Sequence, residues 1–239
     1  MTSAILVWHN RQGSEKEGEA MQTWRDEMVN STAALVLLTG LAGAALSTVS
    51  PAMAGESVAN IAPASSFAMI GSVASVPYGW LDFCRRYVTE CDGEVLAPAD
   101  INPAVKTMRQ IARVNQWVNA HVKAVSDMEH WGVIDRWDYP FDGKGDCEDF
   151  ALYKRRVLID AGFPRQALLM TVVKDEHNEG HAVLTVKTTG GEYVLDNMND
   201  EMKPWNKTGY RFVKRQSQTD QNVWVQIGDP TTAPDYVSR

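Results

Sequence analysis

Cysteine is scarce in this chain, with three residues in 239. Three are too few for a disulfide scaffold, and the odd number leaves at least one thiol without a partner in the chain. Positive charge is also short. Lys and Arg number 23 against 30 Asp and Glu, for a net charge of -7. No basic run or aromatic–basic patch offsets that balance, which argues against nucleic acid and anionic membrane as main partners. Long apolar runs are missing too. The apolar stretch Ala33 to Leu46 falls short of the ~20 residues that a spanning helix needs. What is present is a hydrophobic share of 44%, enough for one ordinary domain with appendages.

The short apolar stretch ends in Ala52-Met53-Ala54 before Gly55. An apolar core followed by an A-x-A pattern is the layout of a secretory signal. Its flank is unusual, with Arg25 set against Asp26 and Glu27; an uncleaved membrane anchor is the alternative. Residues 1–54 are therefore expected to be an upstream extension and signal peptide, and the mature chain to begin near Gly55. Export to the periplasm or beyond would place that chain in an oxidising compartment. Residues 55–76, rich in Ala, Ser, Gly and Pro, read as a flexible lead-in. The folded domain is expected over 77–239.

Cys84 and Cys91 lie in "WLDFCRRYVTEC". On one continuous helix they would sit ~10 Å apart, too far to bond. A disulfide therefore requires a helix break between them; otherwise they are two small buried thiols. The segment 102–125 reads as a helix, with Asn102 as N-cap and Pro103 in the first turn. Val105, Met108, Ile111, Val114, Val118, Val122 and Val125 form one apolar stripe at spacings of three and four. His121 lies beside that stripe and reads as a boundary residue.

A loop bearing Trp131, Trp137 and Tyr139 follows, able either to wall a cleft or to pack beneath itself. A second helix is expected from near Asp146 to Gly162, with Pro164 beyond it. The period then changes to strand. "ALLMTVVK", "HAVLTVK", "EYVLDNM", "YRFVKR" and "VWVQIG" are short, β-branched or aromatic, and parted by polar turns. "TTGGE" reads as a hairpin turn. Helices followed by hairpin-linked strands predict an α+β fold with an antiparallel sheet.

Three residues stand at the ends of these elements. Cys147 opens the second helix, His181 opens one strand, and Asp196 ends the next. If the two strands form a hairpin, His181 and Asp196 become cross-strand neighbours. The helix could then bring Cys147 to the other ring nitrogen, giving nucleophile, base and orienter. A helix N-terminus carries about half a positive charge and favours a thiolate. The acids around Cys147 work the other way: Asp142, Asp146, Glu148 and Asp149 lie within eight residues, offset only by Lys144.

"GDCEDFALYKRRVLIDAG", "GHAVLTV" and "YVLDN" resemble the bacterial transglutaminase-like cysteine proteinases, a family that includes the LapG-type periplasmic adhesin proteases. "PYGWLDFC", "HWGVIDRWDYP" and "WNKTGYRFVKRQS" are similar to it as well. The resemblance runs from about Pro77 to Ile227. It implies a papain-like, transglutaminase-like core with a Cys-His-Asp triad of Cys147, His181 and Asp196. It also implies calcium, held by acids flanking the nucleophile, which match Asp146 and Glu148. A large surface adhesin as substrate and an inner-membrane cyclic di-GMP receptor as partner follow from the same resemblance. Carboxylates at a helix start suit calcium, which takes oxygen ligands, and a bound cation would reverse the local charge. Helix capping by Asp146, with Glu148 and Asp149 complementing the dipole, is the alternative. Two other functions stay open: a transglutaminase-type acyl transferase, which shares the thioester step, and a catalytically inactive periplasmic binding module.

Overall fold

Seven strands form a single antiparallel sheet in the order β1-β9-β8-β4-β5-β6-β7. They are β1 (Ile70–Ala74), β4 (Leu168–Lys174), β5 (Gly180–Thr188), β6 (Gly191–Asp196), β7 (Asn199–Pro204), β8 (Arg211–Gln216) and β9 (Trp224–Ile227). The computed structural model describes residues 66–228 together with Gln22 and Val237. The expected signal peptide in 1–54, and residues 55–65 of the expected lead-in, lie outside the described residues apart from Gln22. No helix among the described residues is long and apolar enough to cross a membrane.

Within residues 66–228, five α-helices accompany the sheet: α1 (Tyr78–Arg86), α2 (Val88–Cys91), α3 (Val105–His121), α4 (Asp127–His130) and α5 (Cys147–Asp160). Helix α5 packs on β4, β5 and β6, while α3 packs on α5 and β7. The α3 stripe is buried at Ile111, Val114 and Val118, and α5 buries Phe150, Ala151, Val157 and Leu158. The helical first layer and antiparallel second layer are the expected α+β architecture.

The Gly55–Val76 lead-in needs correction at its C-terminal end. Ile70–Ala74 is an edge strand pairing with β9, Ile70 opposite Ile227. The chain just before it is tied down, because Ala68 N–H donates to the buried carboxylate of Glu192, itself held by both arms of Arg215. The Ser/Gly/Ala composition that suggested flexibility fits an edge strand whose side chains are mostly exposed.

The helix in 102–125 begins later than its capping signal suggested. Ala104, not Asn102, occupies the N-cap of α3. Cys84 and Cys91 form a disulfide with 5.5 Å between their Cα atoms. The required break is present, since Tyr87 interrupts the chain between α1 and α2 at φ -117°, ψ 63°. The aromatic loop packs beneath itself. Trp137 is fully buried, edge-on to Trp80 and Trp224, and a Cβ on Gly79 would fall 2.2 Å from its ring. Trp131 stays 42% exposed.

Two very short strands, β2 (Lys123–Ala124) and β3 (Lys144–Gly145), pair in parallel. Val125 N–H continues the ladder by donating to Gly145 C=O at 2.9 Å. This clasp closes the loop between them and sets the start of α4 beside the start of α5.

Candidate active site

Helix α5 starts where the sequence placed it, with Asp146 as N-cap and Asp149 closing a capping box. Gly145 permits that closure, because a Cβ there would lie 2.6 Å from Asp149. Cys147 is thereby fixed as the first helical residue. Its Sγ accepts a hydrogen bond from Ala182 N–H at 3.4 Å, on β5, and donates to Glu148 Oε2 at 3.2 Å. Cys147 is 1% exposed.

The β5–β6 hairpin pairs Leu184 with Leu195 and Thr188 with Gly191. In that register His181 and Asp196 are not directly opposite. They are diagonal neighbours on one face, within reach of long or polar side chains. His181 Nε2 and Asp196 Oδ1 are 2.9 Å apart, both residues buried. Nδ1 of His181 is buried and makes no hydrogen bond of ordinary length, which leaves it for the thiol. Burial disfavours a charged ring at His181. The charge of Cys147, followed by the bond to Asp196, outweighs this and pushes the His181 pKa up to about 10. Burial would raise Asp196, but hydrogen bonds from His181 and Tyr210 hold it below the usual carboxylate range. The Asp196 carboxylate is thus set to support an imidazolium at His181.

The four acids around Cys147 separate into different roles. Asp149 is structural, accepting from Asp138 N–H and Asp146 N–H. Asp142 faces outward and pairs with His130 at 2.8 Å. Asp146 and Glu148 are fully buried, and with Asp127 they place three carboxylates within 4.8 Å of one another. Asp127 Oδ1 and Glu148 Oε1 are buried without a hydrogen-bond partner. Burial, and then Asp146, push Asp127 up to about 7. Burial, and then Cys147, raise Glu148 well above the usual range. Converging buried oxygens of this kind fit a hard divalent cation. Asp146 also serves the backbone, accepting from Asp127 N–H at 3.0 Å, so capping and ligation are compatible here.

Asp127 is absent from the sequence reading. It lies 19 residues before Asp146, inside Ser126-Asp-Met-Glu129, which reads as an ordinary helix start; indeed Ser126 Oγ accepts from Glu129 N–H. Only the β2–β3 clasp brings it to the site. Tyr210 and Lys154 were missed likewise. Tyr210 OH donates to Asp196 Oδ2 at 2.6 Å. Lys154 is fully buried, and its Nζ has no hydrogen-bond partner.

Burial lowers the Lys154 pKa from 10.5 to about 7, against the pull of Asp196 and Asp200. Between those values the unfolded chain holds the proton and the folded chain does not, so stability rises with pH. The cost of burying the amine is complete below about pH 7 and fades toward pH 10.5. Lys154→Met is therefore expected to stabilise the fold by on the order of 2–4 kcal/mol at pH 7 and by almost nothing at pH 10.5. Denaturant melts of both proteins at the two pH values measure this; an equal gain at both would contradict it.

No curated protein sequence matches the chain. Among solved structures, calcium-bound Legionella pneumophila LapG is 25% identical. That match covers 53% of this chain and 74% of that one, with a TM-score of 0.44. The EGTA-treated form of the same protein is 26% identical, covering 51% and 71% respectively, with a TM-score of 0.41. The family described as bacterial transglutaminase-like cysteine proteinase matches residues 70–232, from the first residue of β1 to beyond the end of β9. The chain therefore belongs to the bacterial transglutaminase-like cysteine proteinases and is a cysteine peptidase.

Proposed function

We propose that Cys147, His181 and Asp196 are the catalytic triad of this peptidase. The observation that supports this most is the buried His181–Asp196 pair at 2.9 Å, with the sulfur of Cys147 against the next residue of the same strand. The thiolate attacks the scissile carbonyl, forming a C–S bond. His181 gives its proton to the leaving amine as the C–N bond breaks, which leaves a thioester. Water then attacks the thioester, His181 accepts a proton from it, and the C–S bond breaks to release the carboxylic acid and return the thiolate beside the imidazolium. Asp196 holds the ring and supports the imidazolium throughout.

Asp127, Asp146 and Glu148 are assigned to calcium. When bound, the cation would offset most of the negative charge of the three clustered carboxylates and order the start of α5. The substrate of a proteinase of this family is a protein. That it is a large surface adhesin in a biofilm, and that an inner-membrane cyclic di-GMP receptor holds the enzyme in reserve, are extensions of the sequence resemblance. So is export, for which the mature N-terminus should be Gly55; exported protein that retains Thr23 to Leu46 would contradict it.

Hydrolysis is separated from acyl transfer by the fate of the new carboxyl group. A cell-envelope extract is incubated with the protein in heavy-oxygen water containing a fluorescent primary amine. Labelled free carboxylates at the new C-termini are expected. Amine-capped termini in their place would make the chain an acyl transferase, and no cleavage at all would favour a binding module.

A further inference from the structure

We infer that Tyr210 is a positioning residue that fixes the carboxylate of Asp196 for His181. This rests on the triad reading above. The backbone of Asp196 is held from α3, where Asn115 Oδ1 accepts its N–H and Asn119 Nδ2 donates to its carbonyl. Those bonds leave the side chain free to turn. Its Oδ1 faces His181 and also accepts from Met198 N–H at 3.1 Å. Its Oδ2 receives the Tyr210 hydroxyl at 2.6 Å, a charge-assisted bond of the short, strong kind.

Tyr210 is well placed to hold this position. It lies between Gly209, at φ +81°, and the start of β8. Thr208 Oγ1 accepts its N–H at 3.2 Å while donating to Trp205 C=O. Its ring meets the His181 ring edge-to-face, with centroids 5.4 Å apart. Burial, and then Asp196, raise the phenol above its usual range, so it remains a donor wherever the enzyme works. Tyr210 and Asp196 also line one small surface hollow. Without the phenol, Asp196 Oδ2 loses its donor, the carboxylate is free to turn, and His181 loses its fixed partner.

The test uses the full chain carrying Tyr210→Phe, Asp196→Asn, or both. The Phe variant keeps the ring and removes only the hydroxyl. Two readouts are taken: the rate at which new N-termini form in a cell-envelope extract, and the downfield proton resonance of His181 Nε2–H. Tyr210→Phe is expected to slow cleavage by about fivefold to twentyfold and to broaden the resonance through exchange with water. Adding it to Asp196→Asn should slow cleavage no further, because the two act through one group. An unchanged rate, a sharp unshifted resonance, or an equal slowing in the Asp196→Asn background would overturn the inference. If Asp196→Asn alone leaves cleavage at full rate, the triad reading itself fails, and the assignment of Tyr210 falls with it.

Discussion

Asp127→Ala is expected to abolish calcium binding and to lower peptidase activity by on the order of 100-fold, the same loss that chelation should cause in the unaltered protein. Asp127, Asp146 and Glu148 lie within 4.8 Å of one another, all buried. At that separation two full charges repel by roughly 3 kcal/mol at an effective dielectric of 20. Three ionised carboxylates cannot share the space without a counter-charge. Removing Asp127 takes away one ligand and leaves the nucleophile and its histidine in place. Glu148→Gln should behave similarly. Asp142→Ala should not, because Asp142 faces outward to His130. Calorimetric titration with calcium and thermal melts with and without it measure the effect directly. Magnesium should bind poorly, since it demands tighter octahedral geometry. Calcium affinity in Asp127→Ala equal to that of the parent protein would remove Asp127 from the site.

Cys147→Ala should eliminate turnover, by roughly 10⁴-fold or more, while leaving the fold intact. The thiol contributes little volume, and its hydrogen bonds to Ala182 and Glu148 are weak because sulfur is a poor donor and acceptor. His181→Ala is expected to be as damaging but less clean. His181 is fully buried against Asp196, so truncating it leaves a cavity and a buried carboxylate without its charged partner, a loss of about 3–5 kcal/mol. Asp196→Asn should cost less activity than either. Circular dichroism and thermal melts, run beside the activity assay, separate lost chemistry from lost fold. Full turnover in Cys147→Ala would exclude Cys147 as the nucleophile.

How far these residues could be read from the sequence depended on distance along the chain. Cys147 announced itself through its place at a helix start. The partnership of His181 and Asp196 followed from the "TTGGE" turn between their strands, although the register makes them diagonal rather than opposite. The Cys84–Cys91 bond was a local geometric problem with a local solution at Tyr87. Asp127 and Tyr210 had no such signal. Asp127 reaches Asp146 through a two-residue parallel clasp too short to leave a pattern. Tyr210 stands just before β8, which β4 and β5 separate from the β6 strand that ends in Asp196. The two outer strands were hidden for a different reason. β1 is Ser- and Gly-bearing, and β7 reads Asn-Asp-Glu-Met-Lys-Pro; both lie at the edges of the sheet, where polar and small residues are tolerated and alternation is weak.

The most direct test of the account is the census of new N-termini in a cell-envelope extract treated with the parent protein in calcium, with the parent protein in chelator, and with Cys147→Ala in calcium. The account predicts a small set of cleavage sites in the first sample and none of them in the other two. The same sites appearing with Cys147→Ala, or no new sites in any sample, would contradict it.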